Sequence, residues 1–288
     1  MSTTAHIAFV GDVYVERSDG YAAAAAMQHV APFLQKHFDL RCANLEAPLS
    51  ERGRLKRSFP WASLRAKPHN VEVLVGGGFD IVTLANNHTM DYGPEALLDT
   101  IRLLEERGIG YVGGGVNWER AWTMQTREIK GIRVGFLGIE ATAWTWIEHD
   151  ATPDTPGIAA LFISPYFPGH VDGYRLEYAL GMVEHFRPHV DLLTVNIHWG
   201  HSVSHQVCTY QREVGRKLID YGADVVIGHH PHTIQGVEVY RHRPIIYSLG
   251  NFLFDSLRLP PEGMLLGCSF SQRRMERIWL RPTCQRNG

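Results

Sequence analysis

Three histidines, His229, His230 and His232, fall within four positions at the end of the β-branched run in "VVIGHHPHTIQGVEVY". A glycine precedes them and a proline divides the last two. Adjacent imidazoles are expensive to bury without partners, so a cluster where a strand stops points to metal ligation. Other strand-like segments end in a similar way. Asp12 closes "HIAFVGD", Asn44 and Glu46 close "LRCANLE", Asn86, Asn87 and His88 close "FDIVTLANNH", and His198 ends "VDLLTVNIHWG". Neutral imidazoles, carboxylates and an amide oxygen are the donor set of a divalent-cation site. Singly, each has a plainer reading: Asp12 as a helix cap, Asn86 and Asn87 as turn residues, His198 as a hydrogen-bonded core histidine. Their coincidence at five strand ends favours the cation, because the carboxyl ends of parallel strands share one edge of a sheet.

Those ends can meet only if the strands are positioned by βα alternation, and the chain shows it. Helical segments are expected at about Tyr21 to His37, Asn70 to Gly76, Pro94 to Arg107, Asp172 to Phe186 and His205 to Tyr221, with Pro94 in the first turn of its helix. "REIKGIRVGFLGIEAT" reads as two strands joined at Lys130-Gly131. After His232 the pattern becomes a β meander through "TIQGVEVYRHRPIIYSLGNFLFD", "MLLGCSF" and "RIWLRP", which adds a second sheet or an edge to an α/β fold. The whole of 1–288 reads as one domain, with 142–169 a long loop over the site and 256–288 a C-terminal strand extension.

Composition removes several function classes. With 28 Lys+Arg against 30 Asp+Glu the net charge is −2, so no electrostatic case exists for nucleic acid or an anionic membrane. The four cysteines are scattered and form no CxxC pair, which argues against a zinc ribbon or a disulfide framework and fits a reducing compartment. The opening "MSTTAHIAFVGD" has neither a basic nor an apolar leader region, and no apolar run has transmembrane length, so a cytoplasmic location is expected.

The segments "GDV", "NLEAPL", "LANNHTMDYG", "NIHWG", "LIDYGADVVIGHHPHTIQGVEVY" and "PIIYSLGNFLFD" closely resemble the motifs of the CapA family of poly-γ-glutamate capsule-synthesis proteins, and they run in order from residue 11 to residue 255. That family is similar to the calcineurin-like metallophosphoesterases. The resemblance implies a four-layer α/β/β/α sandwich holding one or two divalent ions, with Mn, Zn or Fe as candidates. It implies Asp12, Glu46, Asn87, His198, His230 and His232 as ligands, with Glu46 in the bridging place. It further implies His88 as the general acid, with Asp91 three residues on to orient it; Asp91 could equally cap the helix led by Pro94. Asn44, Asn86, His229 and Asn251 would support the ligands. Pro231, with its fixed φ, would splay the rings of His230 and His232 from an extended backbone. The first motif reads Asp12-Val13-Tyr14 where metallophosphoesterases carry Asp-x-His, and "ANLE" stands where they carry Gly-Asp.

The expected activity is a metal-dependent hydrolase or an acyl or phosphoryl transferase on a small or peptide-like anionic substrate, either a phosphoester or a γ-glutamyl amide. Trp144 and Trp146 could close over the site or pack beneath the loop, and Arg52, Arg54, Lys56 and Arg57 could attract an anion or form a solvated face. Two other readings stand beside it. A zinc amidohydrolase would show a closed barrel of eight strands, and a non-catalytic scaffold for polymer synthesis would lack stoichiometric metal.

Overall fold

A computed structural model describes residues 4–16, 25–56, 62–142, 149–164, 169–255, 259–271 and 274–285. Arg57, Trp144 and Trp146 lie outside the described residues, as do positions 21–24 of the first expected helix.

The strands form two large sheets and one two-stranded pair. The first contains β1 (Ala5–Tyr14), β2 (Leu40–Leu45), β3 (Ile81–Thr83) and β4 (Gly110–Val112), all parallel. A two-residue strand, β5 (Gly114–Gly115), follows β4. The second sheet contains β6 (Gln125–Ile129) and β7 (Ile132–Ala141), a hairpin as expected. β5 pairs with β8 (Gly157–Ile158), and the second sheet continues through β9 (Leu192–Trp199), β10 (Val225–His229), β11 (Val237–Tyr240) and β12 (Arg243–Ile246). Its order is β11-β12-β10-β9-β7-β6. The closing meander divides between the sheets. β13 (Asn251–Phe254) runs parallel to β1, while β14 (Glu262–Ser271) pairs antiparallel with β1 and β15 (Arg274–Cys284) forms the antiparallel edge beyond it. Two open sheets replace the closed barrel that an amidohydrolase would need.

Three apolar clusters define the layers. Ile7, Phe9, Cys42 and Ile81 of the first sheet meet Val134, Phe136, Val225 and Ile227 of the second, so the sheets pack face to face. The outer face of the first sheet is covered by α1 (Ala31–His37), α2 (Val71–Gly77) and α3 (Pro94–Glu106). The outer face of the second is covered by α4 (Trp118–Ala121), α5 (Gly173–Phe186) and α6 (Thr209–Asp220). The result is the expected α/β/β/α sandwich. Its central strands are covered on both faces, which is why β7 and β9 read as almost unbroken apolar runs. In α3, Leu97, Thr100, Ile101 and Leu104 recur at helical spacing and are buried.

Among the described residues, one expected helix is interrupted by turns and another begins later than its apolar pattern suggests. α1 starts at Ala31, after a run of turns over residues 26–30. α6 starts at Thr209 because Gln211 Oε1 accepts the backbone N–H of Cys208 at 2.8 Å and fixes the entry there. Glycines allow two close backbone approaches beside the polar strand ends. A Cβ on Gly11 would lie 1.9 Å from Gly250 O, and one on Gly228 would lie 2.1 Å from Tyr247 O. These approaches account for the glycine before Asp12 and the glycine before His229.

Candidate metal centre

The parallel registers bring the polar residues into line. Asn251, Asp12 and Asn44 are Cα partners across the first sheet, with Thr83 next to Asn44. Glu140, His198 and His229 are partners across the second. The apolar layer between the sheets gives way here to buried polar groups: Asp12, Asn44, Glu46, His198, His229, His230 and His232 are all 5% exposed or less. Glu140 is absent from the expected set. The signal that marks it is its place at the end of "FLGIE", and its Oε1 accepts from Thr142 N at 2.9 Å.

Two ligand groupings emerge, and Glu46 belongs to both. One is Glu46, His198 and His230; the other is Asp12, Glu46 and His232; within each, the donor atoms lie within 4.8 Å of one another. Glu46 Oε1 is 3.4 Å from His232 Nε2 and 3.8 Å from His198 Nε2. Asp12 Oδ2 is 3.4 Å from His232 Nδ1. Asn87 Oδ1 is 2.8 Å from His198 Nε2, so the amide stands with the first grouping. His230 Nδ1 is 3.2 Å from His198 Nε2, while His230 Nε2 has no hydrogen-bond partner among the described residues. A buried, unpartnered ring nitrogen beside a carboxylate shared by two groupings fits divalent cations. All six expected ligands are brought together.

Protonation states agree with that donor set. Burial, then the neighbouring His230, His229 and His232, hold His198 well below the ordinary imidazole range. His230 is pushed down to about 3, chiefly by burial and then by His232. Burial opposes ionisation of Asp12, but His229, His232 and Asn44 outweigh it and keep its pKa below the usual value. Neutral rings and an ionised carboxylate are the forms a divalent cation takes up.

The same shifts predict an acid-sensitive apoprotein. An unfolded histidine titrates near ~6.5. Between there and about 3 the unfolded chain binds a proton that the buried His230 ring refuses, so this contribution to stability falls as pH falls. His198 acts with the same sign, and Asp12 adds a loss at the acid end. Melting temperatures measured in EDTA should decline steadily from pH 7 towards pH 4, and His230→Gln should flatten the slope. A flat profile for the unaltered chain would contradict this assignment.

A family model described as "Bacterial capsule synthesis protein PGA_cap" matches residues 6–256. The chain belongs to that family. It is 32% identical over 253 residues to the capsule biosynthesis protein CapA of Bacillus anthracis, covering 85% of this chain and 59% of that one. It is 30% identical over 253 residues to the PGA biosynthesis protein CapA of Bacillus subtilis, covering 86% and 62%. A probable polyglutamine synthesis accessory protein of Mycobacterium tuberculosis is 29% identical over 222 residues, covering 75% and 56%. The chain thus spans about three fifths of the length of these curated relatives. Among solved structures, a hypothetical protein from Thermus thermophilus aligns with a TM-score of 0.59 at 15% identity, covering 98% of this chain and 100% of that one. GAP50, the anchor in the inner membrane complex of Plasmodium, aligns at 0.50 and 12%, covering 99% and 86%. At such identities these likenesses show the fold alone. No helix among the described residues is long and apolar enough to cross a membrane.

In this capsule-synthesis family member, hydrogen bonds link the ligand groupings to the segment carrying His88. Asn44 Nδ2 donates to Asp12 Oδ1 at 2.8 Å and to Glu46 Oε2 at 3.3 Å, and Asn44 Oδ1 accepts from Asn86 Nδ2 at 3.1 Å. Asn86 Oδ1 accepts the N–H groups of His88 and Thr89, which fixes the turn. Within it His88 Nδ1 meets Asp91 Oδ2 at 2.7 Å, and that same oxygen accepts from Leu64 N at 2.7 Å. Asp91 therefore does not cap α3, whose N-cap is Gly93. His229 Nδ1 lies 3.3 Å from Asp12 Oδ1, and Asn251 Oδ1 lies 2.9 Å from His232 Nδ1.

One local expectation needs revision, and the first-motif departure has a place in the fold. Tyr14, at the position of the missing first-motif histidine, turns into the helix-side apolar cluster. Its ring packs on Phe254 at 5.2 Å, and its hydroxyl is directed at Arg65 O. The histidines around Pro231 do not leave an extended backbone: His230 has φ 94° and His232 φ 56°. Proline fixes only its own φ, and the residues on either side have turned into the left-handed half of conformational space.

Proposed function

We propose that this chain is a metal-dependent hydrolase or transferase of the capsule-synthesis family, acting on a phosphoester or a γ-glutamyl or peptide amide of an anionic substrate. The supporting observation is the placement of Glu46 in two buried ligand groupings, with the His88–Asp91 pair on the adjoining turn. Bound there, divalent cations would supply Lewis acidity and lower the pKa of a coordinated water. Glu46 would serve both positions, His198, His230 and Asn87 one of them, and Asp12 and His232 the other.

The chain's own groups would do the rest. His88 keeps a partly exposed side chain at 12%, whereas Asp91 behind it is fully buried. With Nδ1 engaged by Asp91, Nε2 is the atom assigned to deliver a proton to the leaving group. The exposed Arg52, Arg54 and Lys56 belong to a segment stitched onto this turn, where Lys56 N donates to Asp91 O at 2.8 Å. A basic segment joined to the turn of the proposed acid suits an anionic substrate.

A second reading, a non-catalytic accessory role, is favoured by Tyr14 in place of a ligand histidine and by the description of the mycobacterial relative. Elemental analysis after purification, followed by turnover of phosphoester and γ-glutamyl amide panels with Mn²⁺ or Zn²⁺, separates the two. Stoichiometric metal with metal-dependent turnover is expected. Protein without metal, inert on both panels, would establish the accessory reading instead.

A further inference from the structure

The loop after His198 is fastened to the segment that carries His230 and His232. Val203 N donates to Pro231 O at 2.8 Å. Thr233 Oγ1 donates to Ser204 O at 2.9 Å, and Gln235 Nε2 donates to Ser204 O at 2.8 Å and Gln206 O at 2.9 Å. Gln235 Oε1 accepts from Gln211 Nε2 at 3.1 Å, and Gln211 Oε1 accepts from Cys208 N at 2.8 Å. Thr233, Gln235 and Gln211 are buried. Both side-chain amides are thus engaged at both ends, and they face loop carbonyls and one loop N–H.

The backbone explains why such a fastening is needed. Six non-glycine residues among those described have positive φ. Three of these, Lys130, Arg241 and His242, sit in the hairpin turns joining β6 to β7 and β11 to β12, where such angles are ordinary. The other three are His230, His232 and Val203, which meet at Pro231. A β-branched residue at φ 55° is an outlier, and such conformations persist only where surrounding contacts over-determine them.

We infer that Thr233 and Gln235 are positioning residues for the cation site, holding His230 and His232 at left-handed φ on either side of Pro231 and so fixing where the two imidazoles point. Without the fastening, residues 230 and 232 are released to relax to negative φ. Each ring then swings away from Glu46, although no ligand has been removed. The inference rests on the metal reading proposed above, and its test keeps the two apart.

Mn²⁺ binding to the full chain would be measured by titration calorimetry for the unaltered protein, Thr233→Val, Thr233→Ser and Gln235→Met, with the visible spectrum of the Co²⁺ forms recorded alongside. Thr233→Val is close to isosteric and deletes one hydrogen bond; Thr233→Ser keeps it. Thr233→Val and Gln235→Met should weaken Mn²⁺ binding by roughly 10–100-fold and change the Co²⁺ spectrum, while Thr233→Ser stays within about twofold. Native affinity and spectrum in Thr233→Val and Gln235→Met, even with lowered melting temperatures, would overturn the positioning role alone. An unaltered chain that takes up neither metal would refute the metal reading and this inference with it. If Gln235→Met does not fold, the Thr233 pair decides the matter.

Discussion

Glu46→Gln is expected to remove both cation positions in one step. Glu46 is the only residue common to the two ligand groupings. Glutamine keeps its length and an oxygen able to accept from Asn44 Nδ2, but it lacks the second anionic oxygen and the charge that would offset two divalent ions. Metal content should fall to background, and turnover should drop by at least about 10³-fold, since a neutral-pH nucleophile then has no source. The metal-free variant should fold at least as stably as the unaltered apoprotein, because a buried carboxylate has been neutralised. Metal analysis together with melting in EDTA distinguishes this outcome from simple unfolding. Retained stoichiometric metal with unchanged turnover would remove Glu46 from the site.

His88→Asn should separate chemistry from metal binding. His88 is not in either ligand grouping; the preceding residue, Asn87, contacts His198. The variant should therefore hold its full complement of metal. Loss of the proton donor should lower turnover by roughly 10²–10⁴-fold on substrates with poor leaving groups. A nitrophenyl leaving group, which departs readily as an anion, should suffer far less. An equal loss on both substrate types would mean that His88 does not protonate the leaving group.

The site was legible in the sequence to the extent that strand ends announce themselves. Asp12, Asn44, Asn87, His198 and His230 each follow an apolar run, and parallel pairing must bring such ends to one edge. The α/β class was legible for a related reason, since βα alternation with nearly continuous apolar strands asks for cover on both faces of a sheet, whereas the four-layer order was implied by the family resemblance. Glu140 obeys the same rule.

What could not be read was decided by contacts between segments far apart in the chain. His230 and His232 have left-handed φ where Val203 N meets Pro231 O, a contact between separate segments that the local sequence does not specify. Gln235 and Gln211 look like ordinary polar residues until their amides are seen facing one another. Asp91 illustrates the point from another side. Its spacing allowed it to cap α3 or to orient His88, and the choice went to His88 because Leu64 N supplies a further donor to the same oxygen. α6 starts at Thr209 and not near His205 because its entry is set by Gln211.

Anomalous diffraction from crystals grown with Mn²⁺ tests most directly whether these segments converge to hold cations. The predicted map has its peaks against Glu46, one on the side of His198 and His230 and the other on the side of Asp12 and His232. A map with no anomalous peak in contact with Glu46, from crystals equilibrated with saturating Mn²⁺, would contradict it.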